Sequence, residues 1–147
     1  PDGSVRAVPG WQGQSATVTA LDWSPDGTEV VVTASQGIWI VPVKGAEARP
    51  LAVEAAGETF PAGFKYPGAQ WSADGRIAFP LERSTGSLIR IAPADGASPS
   101  VELDGSAVFA WSPDGGRIVF ARQGGESGGT EVVVGAGDGG DVELAGR

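Results

Sequence analysis

The string W-S-[PA]-D-G occurs three times, as Trp23-Ser24-Pro25-Asp26-Gly27, Trp71-Ser72-Ala73-Asp74-Gly75 and Trp111-Ser112-Pro113-Asp114-Gly115. The tryptophans stand 48 and then 40 residues apart. A unit this short cannot bury an apolar face by itself, so recurrence in register predicts copies stacked side by side. The spacing brackets the about 40–45 residues of a four-stranded propeller blade, and the longer first interval implies one insertion.

Each copy reads as a hairpin turn. Proline presets φ, aspartate bonds the local backbone, and glycine takes the positive φ that closes the turn; Ala73 weakens the pre-organisation of the second copy without forbidding it. Before each turn an inner strand alternates: Leu21 and Trp23 flank Asp22, Ala69 and Trp71 flank Gln70, Phe109 and Trp111 flank Ala110. After each turn comes a nearly continuous apolar run, at 29–33, 76–81 and 117–121, which implies a strand covered on both faces. Third strands are expected at 38–43, 88–91 and 132–134, each closing on a glycine turn, and polar, Pro-punctuated outer strands at 49–53, 99–103 and 141–144. The opening segment through Val8 matches an outer strand followed by a linker. The expected organisation is all-β: residues 1–16 an orphan outer strand and linker, 17–53 the first blade, 54–68 an inserted loop, 69–105 the second blade and 106–147 the third. Three blades do not close a ring, so the remainder is expected from further blades or from a second copy of the chain.

Composition narrows the function. The net charge of −8, with ten scattered Lys and Arg, repels phosphate backbones and anionic membranes, so nucleic acid is a poor partner. The chain has no Cys and no His, which removes disulfides, thiolate metal sites, the usual general base and the commonest metal ligand. It begins at Pro1 without a signal-like segment or an apolar run long enough to span a bilayer, and is expected to be a processed product or a fragment.

These repeats resemble the TolB-like, or PD40, β-propeller family, whose units carry an aromatic strand ending in W-S-P-D-G, an apolar strand, and a second apolar strand closing on a D-G turn. The resemblance covers nearly the whole chain. It implies a propeller serving as a partner-binding platform, a peptidase lid or a sensor ectodomain, in an extracytoplasmic setting. The Gly- and Ala-rich, charge-poor style is also similar to repeats of exported actinobacterial proteins.

Several motifs have plainer readings. Gly125-Glu126-Ser127-Gly128-Gly129 matches a nucleophile elbow, but that motif needs a strand-to-helix turn and a His partner. Gly135-Ala136-Gly137-Asp138-Gly139-Gly140 matches a dinucleotide loop, yet it runs into a strand and not a helix N-terminus. Asp138, Asp141 and Glu143 offer oxygen ligands to a hard cation without the spacing of a calcium loop, and read as solvated turn acids. The 18 acids lie mostly in turns and on edges, which disfavours a paired-carboxylate glycosidase. Asp22, alone in lying inside an inner strand, reads as a hydrogen-bonded strand residue facing the channel or a seam between blades. No catalytic, cofactor-binding or metal-binding residue is assigned.

The insertion is where this chain departs from its own pattern. It carries Phe60, Phe64, Lys65 and Tyr66, and the connectivity would set it on one rim with Trp11, Glu82 and Arg83. Aromatics gathered with arginine have the composition of interface hot spots, although the same aromatics could plug the ring opening. The resulting expectation is a non-enzymatic module from an exported bacterial protein, binding a protein or peptide. The alternatives are the regulatory lid of a serine peptidase and a self-assembling half-propeller.

Overall fold

A computed structural model describes residues 3–11, 15–53, 57–61, 67–97, 100–105, 107–124, 128–140 and 142–144. The elements in chain order are a 3-10 turn at Pro9–Trp11, β1 (Val18–Trp23), β2 (Glu29–Ala34), β3 (Gly37–Pro42), β4 (Arg49–Val53), β5 (Glu58–Thr59), β6 (Gln70–Trp71), β7 (Arg76–Arg83), β8 (Gly86–Pro93), β9 (Val101–Asp104), β10 (Phe109–Trp111), β11 (Arg117–Gln123), β12 (Thr130–Ala136) and β13 (Val142–Leu144). They form three antiparallel sheets, β1-β2-β3-β4, β5-β7-β8-β9 with β6 also paired to β7, and β10-β11-β12-β13.

The three repeated turns are equivalent. In each, the serine hydroxyl donates to the turn aspartate, Ser24 to Asp26 at 2.7 Å, Ser72 to Asp74 at 2.5 Å and Ser112 to Asp114 at 2.6 Å. The same hydroxyl accepts the first amide of the next strand at 2.9 Å, from Glu29, Arg76 and Arg117 respectively. Gly27, Gly75 and Gly115 close the turns with φ of 69°, 88° and 73°, where a side chain would be strained. The shared geometry therefore explains the serine of the string as well as its Asp and Gly, and the second copy, with Ala73, keeps these bonds in a turn one residue shorter, its serine accepting the amide four residues on and not five.

Neighbouring sheets pack face to face through separate apolar clusters. Val31, Ile38 and Ile40 of the first blade meet Ile77, Phe79, Leu81 and Leu88 of the second. Ala78, Ile89, Ile91 and Leu103 of the second meet Phe109, Ile118, Phe120 and Val133 of the third. Successive residues of β7 thus point into opposite interfaces, which is why that strand reads as an unbroken apolar run. Each fully buried Ile, Leu or Phe contributes about 1.5–3 kcal/mol, so these two seams are the main source of stability.

The second blade departs from the simple repeat. Glu58 and Thr59, inside the segment read as an inserted loop, pair with Arg83 and Glu82. Gln70 and Trp71 pair with Ala78 and Ile77 further along the same strand. The innermost strand is thus made of two short pieces, with Phe60, Pro61 and residues 67–69 outside the sheet between them. Arg76 presents its carbonyl to Ser72 on this side, so alternation aims the nitrogen of Pro80 at the same edge. Its missing N–H falls in the gap, which is how a central strand tolerates proline. At the other end of the chain, residues 3–8 form no strand. An outer strand exists only against a third strand, and all three third strands of this chain already have their own outer partner.

Candidate interaction site

The sheet face of the first blade that points away from the second carries Leu21, Trp23, Val30, Val32, Trp39 and Val41, as the cross-strand pairs require. Leu21 and Trp23 are 64% and 58% exposed. Leu21, Trp23, Val30, Val32 and Val41, with Ala7, Val8, Trp11, Val18 and Asp22, line an open groove of about 660 Å³. Trp11 forms its wall. The Pro9–Trp11 turn is held where Gly10 accepts the Ala48 amide at 3.2 Å, and the Trp11 ring stands edge-on to Trp39 with centroids 5.7 Å apart. A side-chain carbon at position 10 would lie 2.3 Å from the Ala46 carbonyl, so glycine alone permits this approach.

Asp22 is turned the other way, into the seam. Its carboxylate accepts the Trp23 amide at 3.0 Å and the Trp71 amide of the second blade at 2.8 Å. Thr33 joins it there, accepting the Ala69 amide at 2.8 Å. Of the two positions the sequence left open for Asp22, the structure selects the seam.

Of the residues expected on one rim, Glu82 and Arg83 share the β7–β8 hairpin. Glu58 lies beside Arg83, donor and acceptor 2.6 Å apart, and Arg90 and Glu102 complete a four-charge cluster with contacts of 2.6 to 2.8 Å. Arg83 and Arg90 hold the Glu102 carboxyl down to about 2, and Arg90 with Arg83 lowers that of Glu58. Glu82 is exposed at the same hairpin. Two expectations change. Phe60 is 7% exposed and packs at 6.4 Å against Phe79, because leaving β5 carries its ring into the seam between first and second blades; it is a core residue and not a rim contact. Trp11 sits by the β3–β4 turn, the opposite end of its sheet from the β2–β3 hairpin, so it is not gathered with Arg83. Phe64, Lys65 and Tyr66 lie outside the described residues, as do Gly125-Glu126-Ser127 and Asp141.

Two features escaped sequence reasoning. The apolar open face was hidden because Leu21, Trp23, Val30 and Val32 look like ordinary core when the partner sheet is not specified. The split inner strand had a visible signal in Pro80, a proline inside an otherwise central strand. Among the described residues no group of three His, Cys, Asp or Glu is placed to hold a metal ion, and no helix is long and apolar enough to cross a membrane.

No family model and no curated protein matches the chain. Solved structures do. A protein of Agrobacterium tumefaciens assigned as TolB aligns over 91% of this chain and 47% of its own, with a TM-score of 0.62 and 18% identity. A chain of a nidogen/laminin complex aligns over 86% and 47%, at 0.57 and 12%, and the WD40 domain of Toxoplasma gondii coronin over 89% and 34%, at 0.52 and 13%. The chain therefore spans less than half the length of each. At these identities the likeness establishes the fold, a stretch of β-propeller three blades long.

Proposed function

We propose that this chain is a non-catalytic propeller module that binds a protein or peptide through the open face of its first blade. The observation that carries the reading is the groove bounded by Trp11, Leu21 and Trp23, in which two large apolar side chains are more than half exposed on a rigid sheet. A contiguous apolar patch with tryptophan at its centre is the composition of an interaction hot spot. The five acids among the described residues whose carboxyls are shifted by their surroundings all move away from general-acid duty. Asp26 and Asp114 are lowered by their turn serines, Asp74 by Arg76, and Glu58 and Glu102 by two arginines, whereas a general acid at neutral pH needs the opposite shift. An extracytoplasmic setting is proposed on the repeat resemblance, and fractionation of the source cell checks it.

The test is a photo-reactive residue in place of Leu21, with a control at Asp95 in the exposed turn after β8 of the middle blade. Irradiation is expected to give a covalent adduct to a polypeptide from position 21 and none from position 95. Absence of any polypeptide adduct from position 21, both in the source cell and with the purified chain, contradicts the reading.

A further inference from the structure

The second seam inside the chain is held by a chemistry whose two halves the open ends of the stack carry. At the second seam Arg76, the first residue of β7, lies over the Trp111 ring at 5.3 Å and donates to the Gly115 carbonyl at 3.0 Å and to the Gly137 carbonyl. Trp111 returns a bond from Nε1 to the Gln70 carbonyl at 3.2 Å. Arginine is used at the first seam too, where Arg49 donates to the Ala94 carbonyl at 3.2 Å. Ala94 and Gly137 follow the third strand at equivalent places in their blades.

Arg117 opens β11 as Arg76 opens β7, directly after the repeated turn. It is exposed, and its guanidinium carries no hydrogen bond among the described residues. Its sheet face away from the second blade is apolar, with Ala110, Val119 and Val134 in one cross-strand row and Ala121 and Val132 in the next. At the other end of the stack Trp23 occupies the place of Trp111 and Gly27 that of Gly115, on the open apolar face of the first blade.

We infer that the occupant of the first blade's open face is the third blade of a second copy of this chain. The inference rests on the binding reading above and names its partner. Arg117 of one copy covers Trp23 of the other and donates to its Gly27 carbonyl, as Arg76 does to Trp111 and Gly115. The ends differ from each other, so the contact is head to tail, and two copies joined at both ends close a two-fold ring of six blades, within the about 4–8 that propellers use. This closing seam is weaker than the internal ones. Val43 brings a side chain to the place of Gly137, where a side-chain carbon would lie 2.8 Å from the Arg76 guanidinium and from the Trp111 ring, and Ala110 stands at the position from which Asp22 reaches the next blade, so one polar bond is not repeated.

Sedimentation of the purified 147-residue chain across concentration tests it. The expected result is a reversible shift from 14.8 kDa to twice that mass. Arg117→Glu and Trp23→Ala, both at exposed positions, each weaken association by about 10-fold or more, while unfolding of the dilute monomer is unchanged. Mixing the two variants restores association, since the pair retains one native contact. A mass fixed at one chain overturns the inference, as does association that ignores either variant or is not rescued by mixing. If the chain stays monomeric while position 21 cross-links a different polypeptide in the cell, self-pairing fails and the binding reading stands. If position 21 forms no polypeptide adduct in either setting, both fail.

Discussion

Asp22 and Glu102 are both acids on strands of the propeller, and their surroundings give them different tasks. Asp22 spends its carboxylate on backbone amides, including that of Trp71 across the seam. Glu102 spends its carboxylate on Arg83 and Arg90. Holding Glu102 at about 2, below its ordinary 4.5, stabilises the folded form above the unfolded value, and that contribution is lost as pH falls from about 4.5 towards 2. Glu58 shifts in the same direction. Denaturant titrations are therefore expected to show stability declining through this window, with a shallower decline in Glu102→Gln. An equal slope in the variant would mean that the cluster is not formed in solution. The role of Asp22 was half legible: its place inside a strand marked it as unusual, but the amide it accepts lies 49 residues away, and no local pattern encodes that distance.

At the second seam the arginine at the head of the second strand, Arg76, docks one blade on the next. Removing it in Arg76→Ala takes away a cation over Trp111 and two bonds to the third blade. The loss is expected to be about 1–3 kcal/mol, appearing as faster amide exchange in β10 to β12 with β1 to β4 unaffected. Uniform acceleration across all three sheets would contradict docking by this residue. The strands themselves were readable because turn chemistry and apolar runs are local: β4 lies where the sequence places it, and β2, β7 and β11 each extend the predicted second strand by one or two residues. The inner strand of the second blade was not. Its halves, β5 and β6, are two residues each, and their pairing with β7 is a long-range fact announced by Pro80 alone.

Across the whole molecule, stacking leaves the middle blade covered on both faces and the outer two covered on one. The repeat announced this architecture, because three equivalent turns demand three equivalent sheets. It did not announce which apolar residues stay open, since burial at the ends depends on what lies beyond them. The central claim, equivalent turns on successive stacked sheets, is open to direct measurement because the chain contains no cysteine to interfere. Spin labels on cysteines replacing Pro25, Ala73 and Pro113, all exposed, introduced in pairs and diluted into an excess of unlabelled chain, report the three pairwise distances within one copy. The account predicts narrow, similar distances for the pairs 25–73 and 73–113 and a clearly longer one for 25–113. A 25–113 distance shorter than either neighbour pair, or broad distributions throughout, would contradict it.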